Sequence, residues 1–190
     1  MTRGPTLPAH PYPSGRVAIP ALPGQTRTPP SATAVEGFNT APADEAHATL
    51  LTCLHSLRWA QRIAAHRPYP DLDSLLAAAD EAAYDLSPAD LAEALAAESL
   101  PALPADTYSA AHTALSAAHA AYEARFGHVF VICLGDSTPT EALDRILEGI
   151  RSRLANDPDE ERVVAAEELR HLARGRLISA LENPHPTGRP

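Results

Sequence analysis

Along most of the chain the apolar positions recur every three or four residues and do not alternate. Ala46, Leu50, Cys53, Leu54 and Leu57 form such a stripe, which predicts a helix opening near Pro42. Trp59 and Ile63 continue it as far as Arg67-Pro68-Tyr69-Pro70, where two prolines end it. Asp71 can cap the next helix, which carries Leu72, Leu75, Leu76 and Ala79. Ser87-Pro88-Ala89-Asp90 is a strong start signal, with Ser at the cap, Pro in the first position and Asp in the first turn; Leu91 and Leu95 then face inward. Residues Glu98 to Ala105 hold two prolines and read as a loop. Asp106 can open a long helix with Ala111, Leu115, Ala118 and Tyr122 on one face, closed by Gly127 in the left-handed conformation.

The run from His128 to Leu134 has strand propensity, but no second strand exists to pair with it. It therefore reads as a buried extended segment whose backbone groups need other partners. Thr138-Pro139-Thr140-Glu141 opens a helix with Ala142, Ile146, Ile150 and Leu154. Asp157-Pro158-Asp159-Glu160 opens the last one, through Leu169, Leu172, Arg176 and Leu177.

Composition sharpens this picture. Residues 1 to about 36 carry 8 of the 19 prolines, so this stretch reads as a disordered tail. The expected folded domain is 37–182, followed by a second tail over 183–190. Aromatic residues are 5% of the chain, so Ala and Leu supply the core, which favours an all-α domain over a β-sandwich. The formal charge of −9 argues against nucleic acid and against an anionic membrane. No apolar run approaches the roughly 20 residues that span a bilayer, and no secretory signal is visible. Cys53 and Cys133 stand far apart without a CxxC partner, and read as reduced thiols in a cytoplasmic protein.

Nucleotide and nucleophile-elbow motifs are absent. His112 and His119 share a helix face, but seven residues separate them by about 10 Å, too far for one metal ion. Trp59 reads as a core anchor, and Arg67 as a donor to loop carbonyls. The segment after Gly127 is a different matter. A helix end followed by irregular buried backbone can leave N–H groups facing a cavity, where an anionic or imide-like ligand accepts them; core filling is the competing reading. Arg176 lies on the inward stripe and needs either an acidic partner, for which Glu168 is a candidate, or an anionic ligand.

Several blocks together resemble the 2-oxo-4-hydroxy-4-carboxy-5-ureidoimidazoline (OHCU) decarboxylase family. They are Gly37-Phe38-Asn39, the stretch from Cys53 to Ala60, Arg67-Pro68-Tyr69, Leu91 to Ala97, Ala121 to Cys133, Arg153 to Asp157 with Glu161 and Glu168, and Leu172 to Leu177. The resemblance implies an all-helical, cofactor-independent and usually homodimeric enzyme. Its small-molecule reaction would convert OHCU to (S)-allantoin in urate degradation. Carried over by position, substrate binding falls on the backbone of Phe130, Val131, Ile132, Cys133 and Leu134, and the catalytic arginine is Arg176. The family's His-Pro-Arg-Ile-Gly loop is replaced here by Glu98-Ser99-Leu100-Pro101, and its Ser-x-x-Glu-Gln motif by Ser109-Ala110-Ala111-His112-Thr113. Glu98 and His112 are therefore the expected proton-handling pair, in inverted order. The alternatives are a family member that binds a ureide or a protein without catalysis, and an enzyme acting on another small acid.

Overall fold

The computed structural model describes residues 30–100, 109–135 and 137–183, with the side chains of 30–32, 109–112, 139 and 140 outside the described set. Eight helices and no strand occur among the described residues: α1 (Pro30–Thr40), α2 (Ala43–Cys53), α3 (Leu57–Ala65), α4 (Leu72–Tyr84), α5 (Pro88–Ala97), α6 (Ser109–Phe126), α7 (Pro139–Arg153) and α8 (Pro158–Glu182). The all-α expectation is met.

Local sequence sets most of the boundaries. Asp71 accepts from the Ser74 amide at 2.8 Å and starts α4. Ser87 with Asp90, Thr138 with Glu141, and Asp157 with Glu160 each form a reciprocal capping box ahead of a proline in the first turn. Gly127, at φ 77°, ends α6 in the left-handed region.

Two expectations need correction. The stripe from Ala46 to Ile63 is not one helix: α2 ends at Cys53, and Ser56 starts α3 by accepting from the Trp59 amide at 3.4 Å. The apolar spacing runs through the break because both helices bury against the same core. Residues 30–36, expected in the tail, are helical: α1 begins at Pro30, and Val35 and Phe38 are buried. Apolar burial at these two positions offsets the ordering cost that the prolines suggested. The rest of that tail, the expected cap at Asp106 and residues 184–190 lie outside the described residues.

The buried side chains form two clusters. The larger one gathers Leu50, Trp59, Leu75, Leu95, Leu169 and Leu177, with α8 lying along α1, α2 and α4. Trp59 anchors it and donates from Nε1 to the Ala79 carbonyl at 2.9 Å. Arg67 donates to the carbonyls of Phe38 and Ala41 at 2.8 and 2.9 Å, the structural role read from sequence. The smaller cluster, between α6 and α7, is Leu115, Tyr122, Phe130, Ile146 and Ile150.

The extended segment after Gly127 runs between the two clusters. Val129 and Val131 pack into the larger one, while Phe130, Ile132 and Leu134 pack into the smaller. This is the two-residue alternation of extended backbone. It makes a single strand-like run stable without a sheet.

Candidate functional site

The polar groups of the extended segment are held from three directions. Arg153, in the last turn of α7, donates to the Val131 carbonyl at 2.7 Å. Arg145 donates to the Leu134 carbonyl at 2.7 Å. The Cys133 amide donates to Glu168 Oε2 on α8 at 2.7 Å. The amides of Phe130, Val131, Ile132 and Leu134 have no hydrogen-bond acceptor among the described residues. Buried amides of this kind ordinarily find a partner. Cys133 therefore departs from the expected row of open amides, because a carboxylate already satisfies it. The Phe130 ring is core filling: it is fully buried, edge-on to Tyr122 at 5.0 Å between centroids.

Arg176 points at this region from α8, but its partner is not Glu168. Both terminal nitrogens meet Glu98, Nη1 to Oε1 at 2.7 Å and Nη2 to Oε2 at 2.8 Å, in a two-pronged pair. Nη1 also donates to the Cys53 carbonyl at 3.2 Å. The bond to Glu98 is the main reason the guanidinium is held above its ordinary pKa, and the nearby thiols of Cys53 and Cys133 add to it. Arg176, Glu98, Cys53 and Cys133 thus form one neighbourhood, assembled from the ends of α2 and α5, the middle of α8 and the extended segment. Burial pushes the Cys53 thiol up, against the opposing influence of Thr52 and Arg176. The His112 backbone belongs to α6, but its side chain, and with it the expected Glu98–His112 pair, lies outside the described residues.

A second polar cluster escapes the sequence reading. Glu161 is fully buried, and Oε1 accepts from Arg153 Nε at 2.9 Å and from the Tyr122 hydroxyl. Asn156 donates to Oε2 at 2.9 Å. The Arg153 guanidinium also covers the Phe130 ring at 4.6 Å from its centroid. Burial, then the hydrogen bond to Glu161, pushes the Tyr122 hydroxyl well above its ordinary pKa, so it stays a donor. This cluster holds the segment at the Val131 carbonyl, two residues before Cys133, which neighbours Arg176. Its signal is present as Arg153 and Glu161, charged residues in the last turn of one helix and the first turn of the next, but spacing alone does not join them.

An open cleft of about 610 Å³ lies between α5 and the end of α6, lined by Leu91, Leu95, Phe126, His128 and Arg162 among others. Neither Arg176 nor Glu98 lines it. The partly buried charge pair and its neighbouring thiols are at the Arg176 site, and clustered ionisable groups of this kind mark candidate chemistry. No group of three or more His, Cys, Asp or Glu able to hold a metal occurs among the described residues. None of the described helices is long and apolar enough to cross a membrane.

The fold and this site define a class: an all-helical domain whose arginines hold an extended run of main chain. The sequence profile described as OHCU decarboxylase matches residues 39–107 and 99–178. The chain belongs to the OHCU decarboxylase family. Among solved structures it is similar to a crystal structure of (S)-allantoin synthase, with TM-score 0.60 and 22% identity over 76% of this chain and 53% of that one. It therefore spans about half the length of that protein. It is also similar to a crystal structure of OHCU decarboxylase in the presence of (S)-allantoin, with TM-score 0.61 and 21% identity over 74% of this chain and 99% of that one. No curated protein matches by sequence.

Proposed function

We propose that this protein decarboxylates OHCU to (S)-allantoin in urate degradation, acting as a cofactor-independent lyase. The observation that supports this reading is the two-pronged meeting of Arg176 with Glu98 in the neighbourhood of Cys133, a residue of the extended segment. Arg176 supplies a fork for the substrate carboxylate. When the C–CO₂⁻ bond breaks, its electron pair passes to the ring carbon and the adjacent C=N system. The amides of the segment that have no acceptor among the described residues are the donors this reading assigns to stabilise the charge on the ring. A proton then reaches the ring carbon, and Glu98 and His112 are the groups assigned to handle it. The resemblance extends to a homodimer, which sedimentation of the full chain would test.

A second reading is supported by the Arg176–Glu98 pair itself. A guanidinium already satisfied by an internal carboxylate suits a family member that binds a ureide without turning it over. Circular dichroism on freshly generated OHCU separates the two. The lyase forms (S)-allantoin faster than the spontaneous reaction, and Glu98→Gln or His112→Ala slows it by about 10²–10⁴-fold. No acceleration by the wild-type protein, with (S)-allantoin bound, would establish the second reading.

A further inference from the structure

We infer that Glu98 is a resident carboxylate on the anion subsite of Arg176, and that it sets ligand specificity by competing with a ligand's own carboxylate. The inference rests on the reading of Arg176 as the ligand anchor, and it applies to the enzyme and to the binding-only protein alike.

The geometry is that of a bound ligand. Each Glu98 oxygen takes one terminal nitrogen of Arg176, at 2.7 and 2.8 Å, the two-point arrangement by which arginine holds free carboxylates. Exposure is unequal. The Glu98 side chain is 8% exposed, whereas that of Arg176 is 39% exposed, so the arginine is the partner more open to an incoming anion. The fork does not depend on Glu98 alone for its direction, because Nη1 also rests on the Cys53 carbonyl at 3.2 Å. The other carboxylate of the neighbourhood, Glu168, is engaged with the Cys133 amide.

Glu98 is also placed where it can leave. It is the residue on which α5 ends, with extended backbone (φ −75°, ψ 150°) and its N–H on the Leu95 carbonyl at 3.2 Å. Rotation of its side chain breaks no helical hydrogen bond. A ligand carboxylate replaces it with equal charge and equal fork geometry. An uncharged ligand does neither, because it would leave the guanidinium without a counter-charge. Wild-type Arg176 is therefore open to anions that outcompete Glu98 and closed to neutral molecules. Once a bound anion loses its carboxylate, Glu98 returns and the neutral product loses its hold on Arg176.

The test uses two related probes, (S)-allantoin, which is uncharged, and its ring-opened carboxylate allantoate. Both are titrated calorimetrically into the wild-type protein, Glu98→Gln and Glu98→Asp, with thermal melts to verify folding. Glu98→Gln removes the competitor, so allantoate binds roughly 10- to 100-fold tighter, the worth of a freed charge-assisted pair, while (S)-allantoin affinity is unchanged. Glu98→Asp, which keeps the charge on a shorter arm, gives a smaller gain for allantoate and again none for (S)-allantoin. Should Glu98→Gln fail to fold, that difference in Glu98→Asp decides. Equal affinities in variant and wild type would show that Glu98 does not compete. Weakening of both probes would show that Glu98 contacts the ligand instead of excluding it; either outcome overturns the inference. If no probe binds any of the three proteins, the inference and the reading of the site fall together. A gain for the anion in the variant, with no OHCU turnover by the wild-type protein, removes the lyase reading alone.

Discussion

Two arginine–glutamate pairs in this molecule look alike on paper and differ in physical character. Arg153 and Glu161 are both buried, and the groups around their charges are polar groups of the interior: Tyr122, Asn156 and the Val131 carbonyl. Removing one partner of such a pair strands the other, at about 3–5 kcal/mol. Glu161→Ala is therefore expected to lower the unfolding free energy by that amount in urea melts. Tyr122→Phe deletes a hydroxyl that donates to Glu161 and accepts from Arg153 Nη2, and is expected to cost about 1–3 kcal/mol. Arg176–Glu98 is partly open to solvent, so its disruption acts on ligand affinity more than on stability. His119 gives the residue scale its pH dependence. It is buried against Phe130, its Nε2 has no hydrogen-bond partner among the described residues, and burial holds its pKa below 6.5 despite the opposing charge of Glu123. The unfolded chain then takes up a proton that the folded one resists. The contribution to stability is complete above the unfolded value, near pH 6.5, and falls away as the pH drops from there through the folded value. His119→Phe is expected to flatten that part of the acid limb in urea melts compared at about pH 7.5 and about pH 5.

At the scale of elements, the extended segment after Gly127 matters most. It is wedged between two clusters, and α7 presses on it at Gly149, where an added Cβ would stand 3.1 Å from the Phe130 ring. Phe130 has little room to yield, with Tyr122 and Arg153 against it. Gly149→Val is expected to destabilise by about 1–3 kcal/mol through overpacking and, by moving the segment, to weaken ligand binding as well. Thermal melts and the allantoate titration check the two halves of this expectation. Elements are also the most legible part of the sequence. Four N-terminal signals, at Asp71, Ser87, Thr138 and Asp157, are readable because a cap is a short-range interaction of neighbouring residues. The break at Ser56 is not, since the hydrophobic spacing runs on across it. The strand-like run stays out of a sheet because nothing can pair with it, and that much is visible in the sequence.

Across the whole molecule, legibility fails where partners are distant in the chain. Arg176 needs an acid, and spacing offers Glu168 on the same helix. Eight residues of helix span about 12 Å, beyond direct ion-pair reach. The true partner is 78 positions away in sequence, on the end of α5. Local spacing carries no information about that meeting; the packing of α8 against the rest of the bundle does. The family likeness supplies what spacing cannot, since it implies, from motifs alone, that the segment and Arg176 share a site. It gives no role to Arg153, Glu161 or Tyr122.

The single helix α8 carries both Glu161, paired with Arg153, and Arg176, paired with Glu98. Rotational phase along one rod thus ties the two polar clusters together. One alanine inserted between these positions, in the stretch around Arg170, would advance everything beyond it by about 100° and 1.5 Å. Glu161 would stay seated, and the guanidinium would swing off its carboxylate toward a neighbouring face. An insertion of four residues, slightly more than a full turn, would restore the azimuth but displace the fork by about 6 Å. Both insertions are expected to abolish binding of allantoate, whereas an alanine appended after Glu182 is expected to leave it intact. Alignment of this rod, set by buried charge at one end, is what aims the Arg176 guanidinium at the other.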